Sequence, residues 1–364
     1  MLKIIAVDDE STALKWFHRV ASKNPDVSIE GEFLYAEDAV DYIKKRPADV
    51  AFLDIEMPEM SGLELAERLM EIDPFIKIVF VTAYGQYALD AFRAHAIGYL
   101  LKPLDGDEFT EQIELLKGRY AQRPEPVDNA RLFVRCFGQF SVSAQAQDTP
   151  AIRWKTAKAE ELFALLIHHQ GRAKSREHLT ETLWPELDPK KSANLFRVTC
   201  TYLRTTLAEL GFPKLLLREL DGYRLNTGLI ECDLFRFNAG AGGAQSMEAV
   251  AALYSGEYLE GKAYDWAAAA KAQLEADFKR MQYSLADGYM GGGRTDKACE
   301  AMERILLYDP CEEAAVVRIL QAKLGAGDRA AAVKAYNRYE RALKAELGLA
   351  PSERLRQMIW EDAK

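Results

Sequence analysis

The chain has 364 residues, 49% of them hydrophobic, and a formal net charge of −9. That length predicts two or three domains with packed cores. No stretch approaches the roughly 18 apolar residues that a membrane span needs, and Asp8-Asp9 follows the first apolar run too soon for a secretion signal, so a soluble cytoplasmic protein is expected.

In chain order, residues 1–120 alternate short apolar runs with helical patterns. Strands are predicted at Lys3–Val7, Val27–Leu34, Val50–Leu53, Ile76–Val81 and Ile97–Leu101. Helices are predicted at Ala36–Lys45, Leu63–Glu71, Gln86–Ala94 and Asp107–Tyr120. Such alternation implies βαβ units and a doubly wound parallel sheet. Two prolines among polar residues mark 123–130 as a linker. A strand follows at Leu132–Val142, then helices at Lys158–His169, Ser175–Leu183 and Ser192–Leu210. A β-ribbon closes this segment, from Leu215 through the Asp221-Gly222 turn to Leu225. The combination is the α+β pattern of a winged helix, spanning 131–230. From 231 to 364 the pattern is all-α. Gly293 and Gly327 open two degenerate copies of one segment about 34 residues apart, the spacing of tetratricopeptide-like helical pairs.

The charge is uneven. Residues 1–125 hold 14 Lys+Arg against 24 Asp+Glu, a net of −10; residues 131–230 hold 15 against 10, a net of +5; residues 231–364 hold 18 against 21, a net of −3. A basic middle third points to nucleic acid, and an acidic third beside it suggests electrostatic docking in a resting state. The five cysteines, Cys136, Cys200, Cys232, Cys299 and Cys311, show no metal spacing, and His168-His169 reads as a helix end. There is no GxxxxGK[ST] loop, and an enzyme is not expected.

Chemistry concentrates at predicted strand ends. Asp8 and Asp9 close the first strand, Asp54 the third, Thr82 the fourth, and Lys102 with Pro103 the fifth. Ligands of a doubly wound sheet bind beyond its carboxyl edge, so these residues should converge. Two or three carboxylates suffice for Mg²⁺, here Asp8, Asp9 and Asp54. Asp54 would accept a phosphoryl group, while Lys102 and the Thr82 hydroxyl hold its oxygens.

These motifs resemble a bacterial response-regulator receiver over residues 1–122. The matching runs are Val7-Asp8-Asp9-Glu10, Leu53-Asp54-Ile55-Glu56-Met57-Pro58, Met60-Ser61-Gly62-Leu63 and Leu101-Lys102-Pro103. Thr82-Ala83-Tyr84 with Tyr87, Ala88 and Phe92 is similar to receivers paired with LytTR-type effectors. The resemblance implies a further Mg²⁺ ligand in the backbone carbonyl of Glu56 and a switch made of Thr82 and Tyr99. Simple packing remains open for Tyr99. A cognate histidine kinase is the implied partner.

In the middle segment Ser192–Leu210 is the candidate DNA-reading helix. Asn194, Arg197, Thr201 and Arg204 recur at three- and four-residue spacing, so they share a face. Lys190 and Lys191 stand before it, near its N-terminus, where a phosphate would sit. Leu195, Val198, Tyr202, Leu203 and Leu207 would face the core, and Arg218 and Arg224 flank the ribbon turn as wing cations. A solvated basic face of an interaction domain is the alternative. Residues 131–364 resemble the antibiotic-regulatory-protein (SARP) activators, a winged helix joined to a bacterial transcriptional activator domain. Trp154-Lys155-Thr156, Leu183-Trp184-Pro185, Gly222-Tyr223-Arg224-Leu225 and Glu346-Leu347-Gly348-Leu349-Ala350-Pro351-Ser352 carry that likeness. It implies double-stranded DNA as a partner, with RNA polymerase and a second copy of the chain as further partners. The expectation is a phosphorylation-controlled transcription regulator; the alternative is a phosphorylation-controlled interaction module whose output is the helical array.

Overall fold

The structure is a computed structural model that describes residues 1–83, 97–118, 131–144, 152–220, 222–240 and 246–360. The predicted helix 86–94, Tyr84, Tyr87, Ala88, Phe92, the linker 123–130 and Asp221 lie outside them. The described residues fall into two compact bodies: 1–132 with 143–230, and 133–142 with 231–364.

The first body begins with five strands: β1 Leu2–Val7, β2 Val27–Phe33, β3 Val50–Leu53, β4 Lys77–Thr82 and β5 Gly98–Leu101. All pair in parallel in the order β2-β1-β3-β4-β5. This is the flavodoxin-like doubly wound order, with its switch point between β1 and β3. Helices α1 Ser11–Ala21 and α4 Gly106–Gly118 supply one core cluster, and α2 Ala36–Lys45 and α3 Gly62–Ile72 supply another. Strands covered on both faces read as unbroken apolar runs, and every residue of β3 is buried. Phe17 packs on Phe52 and Phe109 with ring centroids 5.1 and 5.9 Å apart, which anchors α1 and α4 on one side. On the other side a capping box starts α3: the Ser61 hydroxyl accepts from the Glu64 N–H, and the Glu64 carboxylate accepts from the Ser61 N–H. Such caps contribute about 1 kcal/mol.

The same body continues with α5 Ala157–His168, α6 Arg176–Leu183 and α7 Pro189–Glu209, then the antiparallel ribbon β8 Leu216–Glu219 with β9 Gly222–Leu225. Thr156, Ser175 and Asp188 cap the three helices. The ribbon lies against the chain ahead of α6, where the Lys174 and Tyr223 backbones exchange hydrogen bonds at 3.0 and 2.8 Å. That approach needs Gly222, since a Cβ there would meet the Lys174 carbonyl oxygen at 2.0 Å.

Helix α7 corrects the expected reading in two respects. It starts at Pro189, capped by Asp188, so Lys190 and Lys191 lie within its first turn rather than before it. Its core stripe is Phe196, Cys200, Leu203 and Leu207, an i, i+4, i+7, i+11 series, whereas Leu195, Val198 and Tyr202 are only half-buried.

The second body takes all but one end residue of each of β6 Leu132–Arg135, β7 Ser141–Ser143 and β10 Ile230–Cys232, which form a three-stranded sheet, order β10-β6-β7. The single expected strand Leu132–Val142 is thus two, broken where the backbone turns at Gly138. Phe137 from this break packs among Phe237, Tyr254 and Tyr258, so it groups with the C-terminal residues rather than with the three helices before them. Helices α8 Asp233–Gly240, α9 Met247–Ala252, α10 Ala268–Gly291, α11 Thr295–Tyr308, α12 Glu313–Gly325, α13 Arg329–Leu347 and α14 Glu353–Trp360 complete it. From α9 onward each packs on the next in the chain. None of the described helices is long and apolar enough to cross a membrane.

Candidate phosphoacceptor site

The carboxyl edge of the parallel sheet gathers the residues expected there. Asp8 follows β1, Asp54 follows β3, Thr82 ends β4, and Lys102 follows β5. The Lys102 ammonium donates to Asp8 Oδ2 and to Asp54 Oδ2, both at 2.7 Å. Asp54 Oδ1 accepts the Ile55 N–H at 2.7 Å, and Asp8 Oδ1 accepts the Glu10 N–H at 3.0 Å. Carboxylate oxygens of Asp8, Asp9 and Asp54 lie within 4.8 Å of one another. Asp8 and Asp54 are buried, whereas Asp9 is exposed and leaves the cluster an open side.

Electrostatics follow from this crowding. Burial pushes the Asp8 carboxyl above its ordinary range, although Lys102 pulls it back. Burial alone would lower the Lys102 ammonium, but hydrogen bonds to Asp54 and Asp8 outweigh it and hold that pKa above the ordinary lysine value. Tyr99 on β5 is half-buried, and burial together with the Asp54 charge pushes its hydroxyl up. Thr82 Oγ1 is buried without a hydrogen-bond partner, an unspent polar group at the same sheet edge. Buried hydroxyls are ordinarily satisfied, so this one suits a ligand oxygen. Three hard oxygen donors with an open side fit Mg²⁺.

Backbone fit holds the site in place. The Gly62 N–H donates to the Ile55 carbonyl at 2.9 Å, and a Cβ at Gly62 would meet the Asp54 carbonyl oxygen at 1.9 Å. Glu56 is exposed in the loop between Asp54 and α3. On the other side the Trp16 indole N–H donates to the Leu104 carbonyl at 2.8 Å, tying α1 to the segment after Pro103.

Residues 4–114 match the family of the response regulator receiver domain, and residues 235–361 match that of the bacterial transcriptional activator domain. The chain carries a response-regulator receiver and a bacterial transcriptional activator domain. The sensory transduction protein LytT of Bacillus anthracis is 38% identical over 117 residues, which is 32% of this chain and 48% of LytT. The transcriptional regulatory protein BtsR of Salmonella typhi is 34% identical over 157 residues, 42% of this chain and 64% of BtsR. The chain thus spans about half to two thirds of the length of these relatives. The solved structure of EmbR from Mycobacterium tuberculosis is 22% identical, with a TM-score of 0.46 and coverage of 63% of this chain and 64% of EmbR.

The residues expected to contact DNA divide into two groups. Lys190, Lys191 and Asn194, at the start of α7, are exposed, and Lys191 lies 3.5 Å from the capping Asp188. Further along α7 the face meets receiver helix α3. Arg197 Nε lies 3.3 Å from Glu67 Oε1, and Arg204 Nη2 lies 3.0 Å from Glu71 Oε1. Arg218 of the ribbon reaches the same Glu71 oxygen at 3.2 Å, while Arg224 pairs with Glu219 across the ribbon. Arg204 is only 6% exposed. Thr201 is buried, and its hydroxyl donates to the Arg197 carbonyl. In this arrangement Arg197, Thr201 and Arg204 therefore face protein, a correction to the expectation of an open basic face, whereas Arg218 pairs with Glu71 and stays exposed. Glu67 and Glu71 were not among the expected site residues; the signal available was their i, i+4 spacing on an acidic helix.

Proposed function

We propose that this chain is a two-component response regulator that binds double-stranded DNA and is controlled by phosphorylation at Asp54. The observation that carries the reading is the convergence of Asp8, Asp54, Lys102 and the unpartnered Thr82 hydroxyl at one sheet edge. A histidine kinase is the phosphoryl source: the phosphorus–nitrogen bond of its phosphohistidine breaks as an Asp54 oxygen forms the new bond to phosphorus. Asp8, Asp9, Asp54 and the Glu56 carbonyl would hold Mg²⁺, which supplies countercharge for the phosphoryl oxygens. Lys102 and Thr82 hold those oxygens directly, and Thr82 with Tyr99 forms the switch.

The output half is a winged helix within 143–230, since 133–142 group with the C-terminal body, with α7 as the reading helix and the β8–β9 ribbon as the wing. Three capped helices, the basic residues of α7 and a ribbon that carries Arg218 and Arg224 support that reading. The test is a gel shift on genomic fragments from the neighbourhood of its own gene, with wild type and Asp54→Asn, with and without Mg²⁺ and a small phosphodonor. The wild type should gain affinity on phosphorylation and Asp54→Asn should not. DNA affinity should fall steeply with salt. Absent or sequence-independent binding in both forms overturns the proposal, and an interaction that ignores salt would favour a protein-binding output through the helical array.

A further inference from the structure

We propose that receiver helix α3 is a latch that competes with DNA: Glu67 and Glu71 hold Arg197, Arg204 and Arg218, so docking of α3 and binding of duplex DNA exclude each other. This inference rests on the DNA-reading role proposed for α7.

The geometry is specific. Glu67 and Glu71 stand one turn apart on α3, and Arg197 and Arg204 stand two turns apart on α7, so two stripes oppose each other. One Glu71 oxygen serves guanidinium groups from both the reading helix and the wing. Guanidinium groups recognise carboxylate and phosphate with the same donors, so each arginine can satisfy one or the other. Arg204, at 6% exposure, cannot reach a phosphate while α3 is docked. Lys190, Lys191 and Asn194 remain exposed and leave a weaker DNA contact in place.

The latch is poised rather than tight. Arg197 Nε lies within ion-pair distance of Glu67 yet makes no aligned hydrogen bond. Burial pushes the Glu67 carboxyl above its ordinary range despite the nearby arginines. Lys77 at the start of β4 is held below its ordinary value by burial and by the Lys155 charge from the chain ahead of α5. Buried ion pairs gain little net stability once desolvation is counted, so a modest change at one end can shift the docked population.

The phosphoacceptor is attached to that end. Gly62, the first residue of α3, hydrogen-bonds the Ile55 carbonyl with no room for a side chain between it and Asp54. A shift of the loop after Asp54 therefore moves the start of α3. A cleft of about 1260 Å³ runs from Asp9 and Met57 past Glu64 to Arg197 and Arg218, giving the α3–α7 seam solvent on one side.

The experiment uses the full chain, unphosphorylated, as wild type and as Glu67→Gln/Glu71→Gln. Glu108→Gln/Glu111→Gln, on exposed positions of α4, controls for net charge. Two quantities are read: affinity for a short random-sequence duplex by fluorescence anisotropy, and amide hydrogen exchange of peptides covering 62–72 and 189–209. The latch variant should bind roughly tenfold more tightly than wild type, with faster exchange in both peptides. The control should change neither exchange rate and gain much less affinity. Unchanged exchange in the latch variant overturns the latch. Faster exchange without tighter binding, while phosphorylated wild type still binds, overturns the competition but leaves the proposed function standing. Absence of DNA binding in every form, phosphorylated wild type included, removes the proposed function and this inference with it.

Discussion

Two places among the described residues bring three ligand-capable groups within 4.8 Å: Asp8, Asp9 and Asp54 in the receiver, and Cys136, Cys232 and Asp233 in the C-terminal body. They differ in what already satisfies them. Asp233 accepts backbone N–H groups from Cys136 at 2.8 Å, Phe137 at 3.0 Å and Leu234 at 2.7 Å. Burial and the neighbouring Cys232 sulfur push the Cys136 thiol well above its ordinary range. This second cluster is a structural tie that joins the β6 end to the start of α8, with the Asp233 oxygens already engaged. In the receiver, by contrast, two carboxylates share one Lys102 ammonium, a third is exposed, and a buried hydroxyl has no partner. Similar donor atoms make a fastening in one place and leave open capacity in the other, and the number of unspent hydrogen bonds separates them.

The contrast breaks first at Asp233. Replacing it with alanine strands buried backbone donors, each costing about 1–3 kcal/mol, so Asp233→Ala should lose about 3 kcal/mol or more of stability. Urea unfolding followed by far-UV circular dichroism measures this, and phosphorylation of the receiver should be unchanged. A loss below about 1 kcal/mol would show that the tie is dispensable.

Next comes Gly62. A methyl group there must displace the Asp54 carbonyl, and overpacking of this kind costs about 1–3 kcal/mol. Gly62→Ala should therefore lower receiver stability and slow phosphoryl uptake together. Normal uptake with the stability lost would show that the position of Asp54 does not depend on the start of α3.

How much of this was readable beforehand depends on sequence distance and on periodicity. The receiver strands are apolar runs covered on both faces, and their ends carry Asp8, Asp54, Thr82 and Lys102, so the sheet and the gathering of these residues at its edge are legible. The β6–β7 break was not, because Leu132, Val134 and Val142 keep a strand-like pattern through Gly138. The partners of Arg204 and Arg218 were hidden for another reason. Glu71 lies 133 and 147 residues away from them, and a charged side chain in a sequence looks the same whether it meets water or an arginine. Net charge suggested that the acidic and basic segments attract, but only coordinates name the residues.

The smallest stability effect is expected at Asp54, the proposed phosphoacceptor. Asp54→Asn removes one negative charge from a group of three carboxylates, two of which share a single ammonium, while the amide oxygen can still accept the Ile55 N–H. Without added metal the change should lie within about 1 kcal/mol of wild type, because lost attraction to Lys102 is offset by relieved repulsion from Asp8 and Asp9. Mg²⁺ reverses the balance. A cation that binds only the folded receiver stabilises it in proportion to its affinity, and a site with one carboxylate fewer binds it more weakly. Thermal melts with and without Mg²⁺ should therefore show a clear upward shift for wild type and a smaller one for Asp54→Asn. The corresponding shift for Asp233→Asn should equal that of wild type, since that carboxylate has nothing left to offer a metal. Equal shifts for wild type and Asp54→Asn would mean that Asp54 takes no part in holding the cation, and the two clusters would then differ less than their hydrogen bonds imply.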